Sequence, residues 1–157
     1  KEWRARVEAP KRSYATEVLS KLEPLKERFD VVRYGALPYD DADPDRYPLF
    51  AVKTKGWSVD KPSVLVTGGV HGYETSGVQG AIRFLDTRAE DFAERFNLVV
   101  APCVSPWGYE RVQRWNAMAV DPNRSFDRKG PPPAEESRQL MEFVDSLSVG
   151  SEGELKK

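Results

Sequence analysis

The chain has 157 residues, with 24 Lys+Arg against 25 Asp+Glu, one His and one Cys. That length predicts one domain, 39% hydrophobic and 31% charged residues predict a globular one, and a net charge of −1 supplies no basic field for nucleic acid. One Cys excludes an intrachain disulfide framework and a Cys-based zinc module, and one His excludes any site that needs two.

Residues 1–14 are charged and lack an apolar core, so they do not read as a signal peptide. No apolar run approaches the ~20 residues of a membrane span. With the single unpaired Cys, this points to the cytoplasm and to no membrane partner. The chain does not begin with Met, which suggests processing or a piece of a longer product.

Tyr14, Val18, Leu22, Leu25 and Phe29 are spaced along one helical face, with Ser13 as N-cap and Pro24 kinking or dividing the helix. Residues 31–34 are strand-like and end at Gly35. Residues 37–47, rich in Asp and Pro, read as an exposed loop. Residues 49–54 predict a strand, and 56–62 a turn. Residues 63–67 (SVLVT) predict a short, buried-type strand running into Gly68, Gly69, His71 and Gly72. Val78, Ala81, Ile82 and Leu85 mark the helix that follows, and Phe92 and Phe96 a shorter one. Residues 97–101 predict a second buried strand, 102–133 a long irregular stretch, and 134–147 a final helix. From 148 the chain is polar and reads as a disordered tail. Strand, helix, strand, loop and helix in this order predict an α/β domain, with a mixed, mostly parallel sheet flanked by helices.

Two stretches carry chemistry. His71 and Glu74 are three apart on one turn just after a strand, where open α/β sheets place ligand sites. Imidazole nitrogen and carboxylate oxygen form a zinc-type donor pair, and the flanking glycines leave room around them. On spacing alone, a hydrogen-bonded surface pair is the plainer reading. The second stretch holds Arg111, Arg114 and Arg124 together with Asn116 and Asn123. Arg forks match carboxylates, and Asn123-Arg124 after Asp121-Pro122 suits an anion. A solvated loop with Arg–Asp pairs fits the same residues. Cys103, after Pro102 at a strand end, reads as a small packed side chain.

Together, GGVHGYE and SPWGYERVQRWNAMAVDPNRSF resemble the zinc carboxypeptidase family of the carboxypeptidase A type, over about residues 60–130. The resemblance lies in the His and Glu three apart, Pro106-Trp107-Gly108-Tyr109, Arg114, and Asp121-Pro122-Asn123-Arg124-Ser125-Phe126 in the same order. It implies a carboxypeptidase-like, phosphorylase-hydrolase-like fold, here incomplete. Residues 1–147 would form the N-terminal portion of one such domain, and 148–157 a tail. It implies Zn2+ as cofactor, with His71 and Glu74 as ligands and Arg114 as catalytic oxyanion stabiliser. Asn123 and Arg124 would bind the substrate's terminal carboxylate.

A second His ligand, a general-base Glu and a substrate-side Tyr, which the family carries downstream, have no counterpart here. The chain alone is therefore expected to be inactive, and the expected half-domain leaves a sheet edge and a core face open. Three functions follow: a zinc metallocarboxypeptidase acting on peptides, a zinc amidohydrolase acting on N-acyl amino acids, or a non-catalytic carboxylate-binding module. Trp107, where the peptidases often carry Asp, leaves room for an unusual substrate.

Overall fold

The computed structural model describes residues 9–127, 129 and 134–152, with side chains through residue 147. The first helical stretch, α1, has three pieces: Ala15–Leu19, Ser20–Leu22 and Glu23–Glu27. Ser13 caps it as expected, its Oγ accepting the Thr16 N–H at 3.1 Å while Glu17 reaches back to the Ser13 N–H at 3.0 Å. The turn tightens at Pro24, which has no N–H to continue the helix. Tyr14, Val18, Leu22 and Leu25 are buried on one face. Phe29 is buried too, but as the first residue of β1 (Phe29–Ala36), not as part of the helix.

β1 runs past the predicted end at Gly35, through a register shift between Arg33 and Gly35. The stretch after it is not simply exposed. Leu37, Tyr39 and Tyr47 fold inward and form a small second core with Leu49, Trp107 and Ala117. The acidic middle, Asp41–Asp45, faces water, as does Pro38. Aromatic rings at both ends of an Asp-rich loop outweigh its polarity once a Trp lies beneath them.

β2 (Pro48–Thr54), β3 (Ser63–Thr67) and β4 (Asn97–Ala101) complete a four-stranded sheet of order β1-β2-β4-β3. It is mixed and flanked by helices, as expected. Among these strands β3/β4 is the parallel pair, and β1/β2 and β2/β4 are antiparallel, so "mostly parallel" does not hold within them. The parallel pair is the one joined by a helical crossover, α2 (Thr75–Thr87) and α3 (Glu90–Ala93). Val78, Ala81, Ile82 and Leu85 of α2 all enter the core.

β4 is buried along its whole length. β3, predicted as buried, is an edge strand with Leu65 45% exposed, because no described element covers it. Beside it an open groove of about 350 Å³ runs between Leu65, Val70, Phe126 and Val144. Edge strand and groove together leave apolar side chains uncovered among the described residues. Unpaired edges with apolar side chains self-associate. Leu65→Lys is expected to lower concentration-dependent association, read by sedimentation or light scattering. Equal association of both proteins would show that the edge is not the sticky surface.

Within the stretch predicted as irregular, Pro106–Arg111 forms a short helix, α4, and Pro122–Ser125 a tight helical turn. Residues 128 and 130–133 lie outside the described set. α4 ends at Val112 in the left-handed region (φ 55°, ψ 51°). That region costs an L-residue roughly 1–2 kcal/mol, and a β-branched one is poorly suited to it. Val112→Gly is expected to raise the thermal midpoint by about 2–4 °C; a fall would mean that the Val side chain contributes more than the strain removes. The last helix, α5 (Glu135–Glu152), runs five residues past its predicted end at 147. Gly150 alone costs about 1 kcal/mol relative to Ala, too little to stop it. The remainder of the predicted tail, 153–157, lies outside the described residues.

Candidate active site

Just beyond β3, the loop carrying His71 meets α4. Gly69 takes a left-handed turn (φ +58°). Gly72 lies so close to α4 that a Cβ there would come within 1.9 Å of the Gly108 carbonyl carbon, which only glycine avoids. The loop is pinned from both sides. The Ser105 N–H donates to the Gly69 carbonyl at 3.0 Å, and Ser105 Oγ to that of Val70 at 2.7 Å. The Tyr73 N–H donates to the Gln113 carbonyl at 3.0 Å.

His71 is held at both ring nitrogens. Nδ1 lies 3.0 Å from Glu74 Oε1, and Nε2 lies 2.8 Å from Asp121 Oδ1. The His71 side chain is 7% exposed, whereas Glu74 is 48% exposed and opens the pair to solvent. Tyr73 stacks against the imidazole, with ring centroids 5.8 Å apart.

Asp121 joins the two sequence motifs. Its Oδ1 takes His71 Nε2 and the Asn123 N–H at 3.0 Å. Its Oδ2 accepts from Arg114 Nε at 3.1 Å and Nη2 at 3.0 Å. Burial would push this carboxyl up, but the hydrogen bonds from His71, Arg114 and Asn123 outweigh it and hold Asp121 below the usual carboxylate range. Arg114 Nη1 donates to the Tyr73 hydroxyl at 3.2 Å. One chain of contacts thus runs Glu74–His71–Asp121–Arg114–Tyr73.

A neutral imidazole carries one N–H, yet here each ring nitrogen faces a carboxylate. With Nε2–H given to Asp121, Nδ1 faces Glu74 either as a second N–H donor or as a lone pair that a cation can bridge to the carboxylate. A separation of 3.0 Å lets both atoms reach one ion through bonds of about 2.0–2.2 Å, and the donor set suits zinc. Asp121 sits on the opposite ring nitrogen, so it orients the ring and does not join that pair. Among the described residues, no three His, Cys, Asp or Glu side chains converge on one point. Cys103 packs in the main core, where burial pushes its thiol well up.

Asn123 and Arg124 are exposed on the Pro122–Ser125 turn, and Arg124 forms no ion pair with another described residue. Arg111 and Asn116 are drawn elsewhere. Arg111 lies over the Trp107 ring and donates to the Tyr47 hydroxyl at 2.9 Å. Asn116 is buried and donates to Tyr39 and Glu136. The orienting part of Asp121 was not legible from spacing, since its partner His71 lies 50 residues earlier. Tyr73 and Glu136 carried no sequence signal at all.

The sequence profile described as zinc carboxypeptidase matches residues 48–156. A curated relative, Carboxypeptidase 2 of Trichophyton tonsurans, is 28% identical over 102 residues, which is 58% of this chain and 19% of that protein. A solved Shewanella amazonensis protein described as a metallopeptidase superposes with TM-score 0.69 at 26% identity, over 88% of this chain and 51% of its own. Bovine thrombin-activatable fibrinolysis inhibitor, solved in complex with tick carboxypeptidase inhibitor, shares the fold (TM-score 0.66, 15% identity, 94% of this chain and 58% of its own). The chain spans about a fifth of the curated relative's length and about half that of the two solved structures.

Proposed function

We propose a function that proceeds from the family: the chain belongs to the zinc carboxypeptidases, and its site is part of a zinc-dependent centre that removes C-terminal residues from peptides. The observation that carries this reading is the His71 Nδ1–Glu74 pair, with Nε2 held by Asp121. Zn2+, when bound by His71 and Glu74, would supply Lewis acidity and a water acidified to about pKa 7.

The chain's own residues do the rest. Asp121 keeps the proton on His71 Nε2, so that Nδ1 is the free donor. Arg114 has three of its five N–H donors engaged, by Asp121 and Tyr73, and offers the others to the oxyanion that develops during amide cleavage. Asn123 and Arg124 hold the substrate's free carboxylate and so select the chain end. The substrate is a peptide with a free C-terminal carboxylate; an N-acyl amino acid presents the same group.

Catalytic zinc sites take three protein ligands, and this site supplies two. Among the described residues no third donor joins the pair, and the chain by itself is expected to be inactive. The single His makes the test direct. In a 15N-labelled chain, adding zinc is expected to move the Nδ1 resonance of His71 while Nε2 keeps its proton. Unmoved imidazole signals at saturating zinc would remove the metal role and leave a carboxylate-binding module.

A further inference from the structure

Glu136, in the first turn of α5, has no part in the centre proposed above, and its side chain is wholly buried. Its Oε2 accepts from Tyr39 OH at 2.9 Å and from Asn116 Nδ2 at 3.0 Å. Its Oε1 has no hydrogen-bond partner among the described residues. Burial pushes the carboxyl up, and the bonds from Asn116 and Tyr39 oppose this only in part. A buried carboxyl with an unmatched oxygen costs stability, so the fold gains little from it as a packing residue.

What it grips explains its presence. Asn116 Oδ1 accepts the N–H groups of Met118 (2.9 Å) and Val120 (3.0 Å). The Asn116 N–H donates to the Val120 carbonyl at 3.0 Å, and the Ala119 N–H to the Asn116 carbonyl at 3.0 Å. This closes a tight turn over residues 116–120 that holds Ala119 at φ +59°, a conformation alanine avoids. Arg114 lies two residues before that turn and Asp121 directly after it. Those are the two side chains whose contact joins the site.

We propose that Glu136 is a positioning residue: through Asn116 it locks the strained 116–120 turn, and so sets Asp121 against His71 Nε2 and Arg114. Tyr39, from the loop after β1, shares the same carboxylate oxygen and ties that loop to the turn. A site that must hold two charged side chains in fixed register needs such support, because small displacements of a catalytic group cost large factors in rate. The inference rests on reading His71, Asp121 and Arg114 as one site.

The lone imidazole is also the reporter here. In metal-free, 15N-labelled chain, the Nε2–H proton of His71 is protected by Asp121, and its exchange with solvent can be timed well below the melting temperature. Glu136→Met keeps side-chain length and removes the acceptor. It is expected to speed that exchange at least tenfold while the chain stays folded. Tyr39→Phe removes one of the two bonds to Glu136, and is expected to speed exchange at least threefold; it carries the test alone if Glu136→Met does not fold. A changed melting temperature with unchanged Nε2–H exchange in the folded variants would make Glu136 merely structural and overturn the proposal. Zinc titration of the unsubstituted chain is independent of this result: no zinc response would sink the metal reading and leave the exchange experiment to judge the positioning role.

Discussion

Replacing His71 by alanine is expected to abolish the zinc response of the chain. On the proposed reading the residue supplies one of two protein donors, and the sequence holds no other His to substitute. Removal of an outer partner of a metal ligand typically costs roughly 10–100-fold in affinity, and loss of the ligand itself should exceed that. Asp121→Asn tests the outer partner and is expected to fall within that range. The Asn amide still reaches Nε2, but it neither carries the charge that stabilises Nε2–H nor holds Arg114 through two N–H bonds. Calorimetry with zinc on the three proteins gives the order: unsubstituted tightest, Asp121→Asn intermediate, His71→Ala without response. Equal heats for the unsubstituted chain and His71→Ala would place any bound zinc elsewhere, and Glu74 would then be an exposed hydrogen-bond partner of a buried imidazole.

Arg124→Ala is expected to weaken binding of a peptide with a free C-terminal carboxylate by roughly 10- to 100-fold, and to leave its C-terminal amide unaffected. A hydrogen bond to a charged group contributes about 1.5–3 kcal/mol, and each 1.4 kcal/mol is about tenfold in affinity. Arg124 is exposed and has no ion pair with another described residue, so among those residues its guanidinium has no carboxylate to give up. Arg111, engaged by Trp107 and Tyr47, serves as the contrast: Arg111→Ala is expected to lower stability, with no preference for carboxylate over amide. Equal weakening of both peptides by Arg124→Ala would mark Arg124 as structural.

The two variants address different halves of the same loop. Asp121 faces inward to His71 and Arg114, whereas Asn123 and Arg124 face outward on the turn that begins beside it. The Asn123 N–H bonds to the same Asp121 oxygen that meets His71 Nε2, so the Asn123-Arg124 turn and the His71–Glu74 pair share one anchor.

Local periodicity was enough for the cores of α1, α2 and α5 and for the ends of β3 and β4, but not for α4 or the ends of β1. The Tyr14–Val18–Leu22–Leu25 and Val78–Ala81–Ile82–Leu85 stripes point to the core because side chains three and four apart share a face whatever surrounds them. The His71–Glu74 pair was legible for the same reason. Motif order also placed Arg114, Asn123 and Arg124 on the loop after β4, and the family with them. Burial was harder. Residues 63–67 have the composition of a buried strand, yet β3 lies at an edge, because burial depends on the neighbours a strand receives. The Asp-rich loop after β1 shows the reverse, since its aromatic ends pack only once α4 brings Trp107 beneath them.

By itself, then, the sequence determined most of the elements, the His71–Glu74 pair, the cation-rich loop and the limit that a single His sets on the site. Only the tertiary structure decided that Asp121 holds His71 and Arg114 at once, that Arg111 and Asn116 serve the scaffold, and that buried Glu136 grips the turn between Arg114 and Asp121. Those contacts join residues up to 77 positions apart or lie on different elements. Periodicity encodes which face a side chain takes on its own helix or strand, and carries nothing about which distant backbone will be folded against it.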